Sequence, residues 1–223
     1  MRILALETAT DVGSVALVSN GELEAQFSLT QRFGQSRNLV QAVGFLLSAL
    51  NLSGAEIGGI AVSIGPGSYT GLRIGLSVAK GLAFGWDRPL YAVNSLDALA
   101  QQGRGTERLI VPVIRFRRDE YYSAFFAWDG EEVSRRSGYR VVHFAELLEE
   151  VKEPALLVGI LRAEDAALLS SRSEEGVWLY LPERRPEAQF VGRLAEKSSR
   201  TGLAENAQSL SPFYMHDFPV QKG

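Results

Sequence analysis

"SIGPGSYTGLRIGLSVAKGLAFG", residues 63–85, sets glycines and alanines among leucines where a strand, a turn and a helix follow one another. Ile60 to Ile64 reads as a buried strand, Gly65 to Gly67 as a turn, and Ser68 or Thr70 as the cap of a helix running to about Phe84. Pro89 to Val93 gives the next strand, so the stretch is a strand-helix-strand crossover of an α/β fold. Within the helix Gly71, Gly75 and Ala79 fall four apart and share a face, with Gly81 nearby. Each glycine costs about 1 kcal/mol against alanine inside a helix, which points to a close neighbour in return. Pattern alone favours the chain's own sheet as that neighbour. An adjacent face alternates Leu72, Leu76 and Leu82 with Arg73 and Lys80, a partly apolar stripe that can meet a partner.

The glycine turn matches a dinucleotide fingerprint only superficially. No acidic residue ends the following strand, which closes on Val93-Asn94-Ser95, and no Gly-Lys-Ser/Thr completes a P-loop. Only the general attraction of a helix N-terminus for anions survives.

Working outward, Arg2 to Leu6, Ser14 to Val18 and Glu22 to Leu29 read as an antiparallel meander with Asn20-Gly21 as a hairpin turn. Leu39, Val43, Leu46 and Leu50 recur at helical spacing, predicting a helix over Gln35 to Leu50. Ser95 is expected to cap a short helix, LDALAQQ. Beyond the loop at Gly103 to Thr106, two long strands flank Arg118-Asp119, and alternating helices and strands end with a helix over Glu187 to Ser199. Each half opens on a hairpin and continues into α/β alternation, so two related lobes are expected, 1–104 and 105–223. The C-terminal LSPFYMHDFPVQKG reads as an ordered strap that packs back on the first lobe and frays at its end.

A net charge of −3 over 223 residues gives no electrostatic reason to bind nucleic acid nonspecifically. The absence of cysteine excludes disulfides, thiolate metal sites and a cysteine nucleophile. No signal sequence or membrane span is apparent, which predicts a cytoplasmic protein.

Few residues in the chain suggest catalytic chemistry. His143 and His216 lack a glutamate at ligand spacing, and no nucleophile elbow is present. Glu7, Thr8, Thr10 and Asp11 cluster in the first turn, where an actin-like kinase holds metal and phosphate. A Thr/Asp-rich turn satisfying its own backbone explains them more simply. RFRRDE, Arg115 to Glu120, reads as a solvated strand edge.

Taken together, LALETAT, DVGSVALV, QSRNLVQAVGFLL, the glycine stretch and YAVNSLDALA resemble the TsaB family, also called YeaZ, across the first hundred residues or so. The form G-P-G-S-[FY]-T-G-[LV]-R-I-G, found at Gly65 to Gly75, carries most of the likeness. The resemblance implies a two-lobed α/β fold of the ASKHA type (actin-like ATPase, RNase H-like), each lobe a mixed sheet flanked by helices. It implies a role in making N6-threonylcarbamoyladenosine at position 37 of ANN-decoding tRNAs, as a non-catalytic scaffold that binds and activates TsaD. The alternative from the residues is an actin-like ATP-dependent small-molecule kinase.

TsaD-like proteins carry an N-H-x-E-G-H motif with two metal-binding histidines, and here Ser95 and Leu99 stand at those places, so no metal site and no catalytic residue is expected. The resemblance also puts partner docking ahead of core packing for the glycine helix. It implies docking through Gln35, Asn38, Leu39, Val43, Leu46, Tyr69, Leu72, Arg73, Gly75, Leu76 and Ala79. Glu7, Thr8, Thr10, Asp11, Gly65, Gly67 and Ser68 are then a degenerate phosphate site. Implied partners are TsaD and TsaE, with tRNA reached only through the complex, a homodimer when TsaD is absent, and ATP and Mg bound only through TsaD and TsaE. Departures from the family pattern are Glu7 for an aspartate, Gln35-Ser36 for His-Ser, Arg115-Phe116-Arg117 for Asp-Ala-Arg, and Tyr214-Met215-His216 for Tyr-Leu-Arg.

Overall fold

A computed structural model describes residues 1–30, 36–172, 176–202 and 204–215. Gln35 and His216 lie outside the described residues. The chain opens with β1 (Arg2–Glu7), β2 (Val12–Ser19) and β3 (Glu22–Thr30), paired antiparallel. Asn20 and Gly21 make the β2–β3 turn with φ of 53° and 78°, the positive pair that a two-residue hairpin requires. Helix α1 (Ser36–Ala49) leads to β4 (Gly59–Gly65), and α2 (Tyr69–Trp86) leads to β5 (Leu90–Asn94). Both strands run parallel to β1, giving the order β3-β2-β1-β4-β5.

Helix α2 starts where Ser68 Oγ accepts from Gly71 N at 3.2 Å and stops where Asp87 turns left-handed at φ 52°. On one face of this sheet Leu4, Leu6, Val15, Ile60 and Val62 pack under α1 and α2. The other face carries smaller residues, Ala5, Ala16 and Ala61 beside Ile3, because strand side chains alternate.

The next helix, α3 (Ser95–Ala100), is capped by Asn94, whose Oδ1 accepts from Leu96 N at 2.8 Å. The expected cap, Ser95, is instead the first helical residue and is buried, because the extended backbone of a cap falls on the strand's last residue. The second sheet begins with β6 (Leu109–Arg117) and β7 (Glu120–Ser123), continued by β8 (Phe126–Trp128), β9 (Val133–Arg135) and β10 (Arg140–His143). After α4 (Phe144–Glu150) come β11 (Ala155–Gly159), α5 (Ala163–Arg172), β12 (Trp178–Leu181) and α6 (Ala188–Arg200). Its order is β10-β7-β6-β11-β12, with β8 on β6 and β9 on β8. The second long strand is thus broken after Ser123. Strands β9 and β10 were not legible, being only three and four residues long with an arginine at one end of each. RFRRDE is not an edge: β6 is internal, and Arg118 at φ 45° turns the β6–β7 hairpin while Arg117 pairs with Glu120 at 2.7 Å.

Both sheets share one plan, an antiparallel meander followed by two parallel strands, and each half ends on a helix that packs against the other half. Leu96, Leu99 and Ala100 of α3 join Ile110, Tyr122 and Val158 of the second sheet. Ala188, Val191 and Ala195 of α6 cover the alanine face of the first. A Cβ on Gly192 would lie 2.7 Å from Val18, so α6 sits on that sheet nearer than any larger residue permits. Glu196 then accepts from Asn20 N and Gly21 N at 2.8 and 2.6 Å. The C-terminal segment straps the first lobe: Glu205 bridges Leu90, Lys80 donates to Leu210 O at 2.6 Å, and Phe213 N donates to Ile64 O at 2.7 Å.

Candidate functional site

The residues expected to form a degenerate phosphate site do come together, where the β1–β2 turn meets the N-terminus of α2. Their polar groups serve the chain's own structure. Glu7 is fully buried, and desolvation pushes its carboxyl up to about 7, only partly countered by the Ala9 N–H at 2.5 Å and the Ser63 hydroxyl. Thr10 Oγ1 donates to Val12 O at 3.1 Å, as a self-satisfying turn does. Asp11 accepts from Arg185 Nε and Nη2 at 3.1 and 3.5 Å, a pair that ties the first turn to the segment after β12.

The glycine turn is filled by protein. Ser68 N donates to Ala9 O at 2.7 Å, and a Cβ on Gly67 would collide with that same carbonyl. Gly65, at φ 114°, faces Phe213 O and Leu72, each 2.9 Å from where a Cβ would stand. Among the described residues no group of three or more His, Asp or Glu is placed to hold a metal. Leu99, at the place of a family imidazole, is buried in the second core, and His143 pairs with Asp119 at 3.0 Å on the surface.

The docking residues divide sharply. Leu39, Val43, Leu46, Leu72, Leu76 and Ala79 are buried beneath the chain's own fold, and so is Gly75, where a Cβ would strike the Thr8 hydroxyl. Gly71 likewise admits the Thr8 carbonyl. Gly71 and Gly75 therefore meet Thr8 of the β1–β2 turn and Ala79 lies in the core beneath α1 and α2, so the seven docking positions named above are buried within the chain, which corrects that expectation. The physical reason is phase: the strongest apolar stripe of an amphipathic helix is taken by its own sheet. Asn38, Tyr69 and Arg73 are exposed, with Arg73 Nε donating to Tyr214 Oη at 3.1 Å and Tyr214 stacked on Tyr69.

The outward faces hold residues that the sequence did not assign to docking. On α1 these are Val40, Gly44 and Phe45, with Phe45 meeting Phe27 of β3 at 4.9 Å. On α2 they are Ser77, Gly81, Phe84 and Gly85. Phe84 is 91% exposed and Phe45 57%. Positions equivalent to a Cβ on Gly44, Gly81 and Gly85 meet nothing within 4 Å. Helix α2 thus has two small-residue stripes, one inward and one, Ser77-Gly81-Gly85, outward. The signal for the second was its spacing of four together with an aromatic out of phase with the leucines.

Between the two sheets lies a cleft of about 530 Å³, walled by the β1–β2 turn, the start of α2, the end of β6 and the segment after β12. No helix among the described residues is long and apolar enough to cross a membrane.

Residues 34–170 match the sequence family described as TsaD: tRNA N6-adenosine threonylcarbamoyltransferase. The chain is 33% identical to the tRNA threonylcarbamoyladenosine biosynthesis protein TsaB of Bacillus subtilis, over 91% of its own length and 92% of that protein. It is 34% identical to the Escherichia coli protein of the same name, over 71% of each. A solved Pseudomonas aeruginosa structure, described as having similarity to peptidase YEAZ, superposes with a TM-score of 0.78 at 25% identity, over 96% of this chain and 99% of that one.

Proposed function

The chain belongs to the TsaB family of tRNA threonylcarbamoyladenosine biosynthesis proteins, with the two-lobed actin-like fold of its relatives, and from that premise we propose that it works as a non-catalytic subunit that docks TsaD. The outward face of α1 and α2 carries this reading. It exposes Val40, Phe45 and Phe84, and its glycines leave backbone open to approach by another helix. The docking set becomes Asn38, Val40, Gly44, Phe45, Ser77, Gly81 and Phe84, with Tyr69 and Arg73 at one end. The carboxylates that a phosphotransferase would need are engaged: Glu7 holds the Ala9 N–H and Asp11 holds Arg185. On this reading TsaE, ATP and Mg reach the chain only through TsaD, tRNA contact is indirect, and the complex works in the cytoplasm. The same apolar face joins two copies when TsaD is absent.

The test mixes the purified chain with TsaD on a size-exclusion column. Gly81→Arg and Phe84→Asp are expected to keep the far-UV circular dichroism of the native chain and to abolish co-elution, since bulk and charge block close helix approach. Co-elution at native strength by both variants, or none by the native chain, contradicts the proposal.

A further inference from the structure

The β2–β3 turn carries a chemically reactive pair, Asn20 and Gly21. Asparagine is a thermolabile residue, and its carboxamide is most open to attack by the next backbone nitrogen where that residue has no side chain. Asn20 is the one asparagine of the chain followed by glycine; Asn38, Asn51, Asn94 and Asn206 precede leucine, serine or alanine. Both turn residues are exposed. The attacking nitrogen is nevertheless engaged, since Gly21 N donates to Glu196 Oε2 at 2.6 Å, while Asn20 N donates to Glu196 Oε1 at 2.8 Å. Glu196 reaches the turn from α6 and is 4% exposed. One buried carboxylate of the second half thus clamps both N–H groups of a turn in the first.

We propose that Asn20 is a deamidation site held closed by Glu196, and that it reacts when α6 lifts from the first sheet. In the reaction Gly21 N bonds to Asn20 Cγ and gives up its proton, the Cγ–Nδ2 bond breaks, and the leaving nitrogen takes that proton through water as ammonia. A second step with water opens the cyclic imide to aspartate or isoaspartate, so overall water is consumed and ammonia released. While the clamp holds, an anion forming on Gly21 N stands against the Glu196 carboxylate, and attack on Cγ breaks a charge-assisted hydrogen bond. Lifting α6 removes both costs. Isoaspartate lengthens the backbone between the two turn residues, so the turn does not rebuild its paired bonds to Glu196 and the change runs one way. Neither α1 nor α2 contributes to the clamp, and the site is independent of TsaD docking.

The full chain is aged in mildly alkaline buffer and then cut with trypsin. Cleavage after Arg2 and Arg32 frees a peptide in which Asn20 is the sole asparagine, and mass spectrometry with fragmentation reads its conversion to the acid. The native chain is expected to convert roughly tenfold or more slowly than the same chain unfolded in guanidinium chloride. Glu196→Ala, folded by far-UV circular dichroism, is expected to convert roughly tenfold faster than native, as loss of one charge-assisted hydrogen bond predicts. Where Glu196→Ala does not fold, Gly192→Leu decides: its side chain meets Val18 and lifts α6 without touching the turn, and the same acceleration is expected. Equal rates in the native and unfolded chains, or native rates in the folded variant, overturn the proposal. Slower conversion in Glu196→Ala than in the native chain makes Glu196 a base for the reaction and overturns it equally.

Discussion

Glu7 shows how one position changes its work without leaving its place. It ends β1 on the face that α6 and α3 cover, among Ser14 and Ser63, with Oε1 on the Ala9 N–H and Oε2 unpaired. Burial favours the neutral acid, so its carboxyl rises from 4.5 to about 7. Between those values the folded chain holds a proton that the unfolded chain has released. Stability from this group is thus full below pH 4.5 and falls as pH rises toward 7, by about 3 kcal/mol in total. Glu7→Gln is expected to remove that decline. Urea unfolding of both chains at pH 5 and pH 8 measures it, and an equal pH dependence in the two excludes Glu7 as the source. The clustering of Glu7, Thr8, Thr10 and Asp11 was legible in the sequence. So was a turn that satisfies its own backbone, as Thr10 does on Val12 O, but the partner of Asp11 was not, since Arg185 is 174 positions away.

At the scale of the element, α2 carries the clearest contrast. Its inward glycines make room for Thr8, and its outward ones face open space. Gly75→Ala is expected to lower stability by roughly 1–3 kcal/mol, because the added methyl meets a buried hydroxyl that cannot retreat. Gly81→Ala is expected to raise it by about 1 kcal/mol, the ordinary helical preference at an open site. Chemical denaturation of the pair reads both signs, and two variants of the same sign would show that the two stripes do not differ in this way. The spacing of four announced a close approach correctly. Pattern alone favoured the chain's own structure as the neighbour of the Gly71-Gly75-Ala79 stripe, and it gave no sign of the outward stripe, because small residues carry no label for inside and outside.

For the whole molecule the exchange of terminal helices decides how the lobes hold together. Without α6, the first sheet would expose Ile3, Ala5 and Ala16, an apolar face that α3 of its own half covers only beside β4 and β5. A fragment of residues 1–104 is therefore expected to bind a hydrophobic dye and to melt without cooperativity, and to recover a cooperative transition when 105–223 is supplied in trans. Cooperative melting of the first fragment alone counts against this dependence. Asp11 with Arg185, and Tyr139 with Asp97 at 2.8 Å, add polar links between the two halves.

The amino-acid order by itself settled what is local: the hairpin at Asn20-Gly21, the periods of α1 and α2, the crossover through the glycine turn and the likeness of its motif. These depend on backbone preference and on neighbours a few positions away, which a short window contains. Only the tertiary structure decided which side of each helix was already taken, that Glu7 and Asp11 were bound within the chain, and that α6 closes the first sheet. Those outcomes turn on which groups the fold brings together, Thr8 with Gly75 and Asp11 with Arg185 among them, and packing in three dimensions sets them.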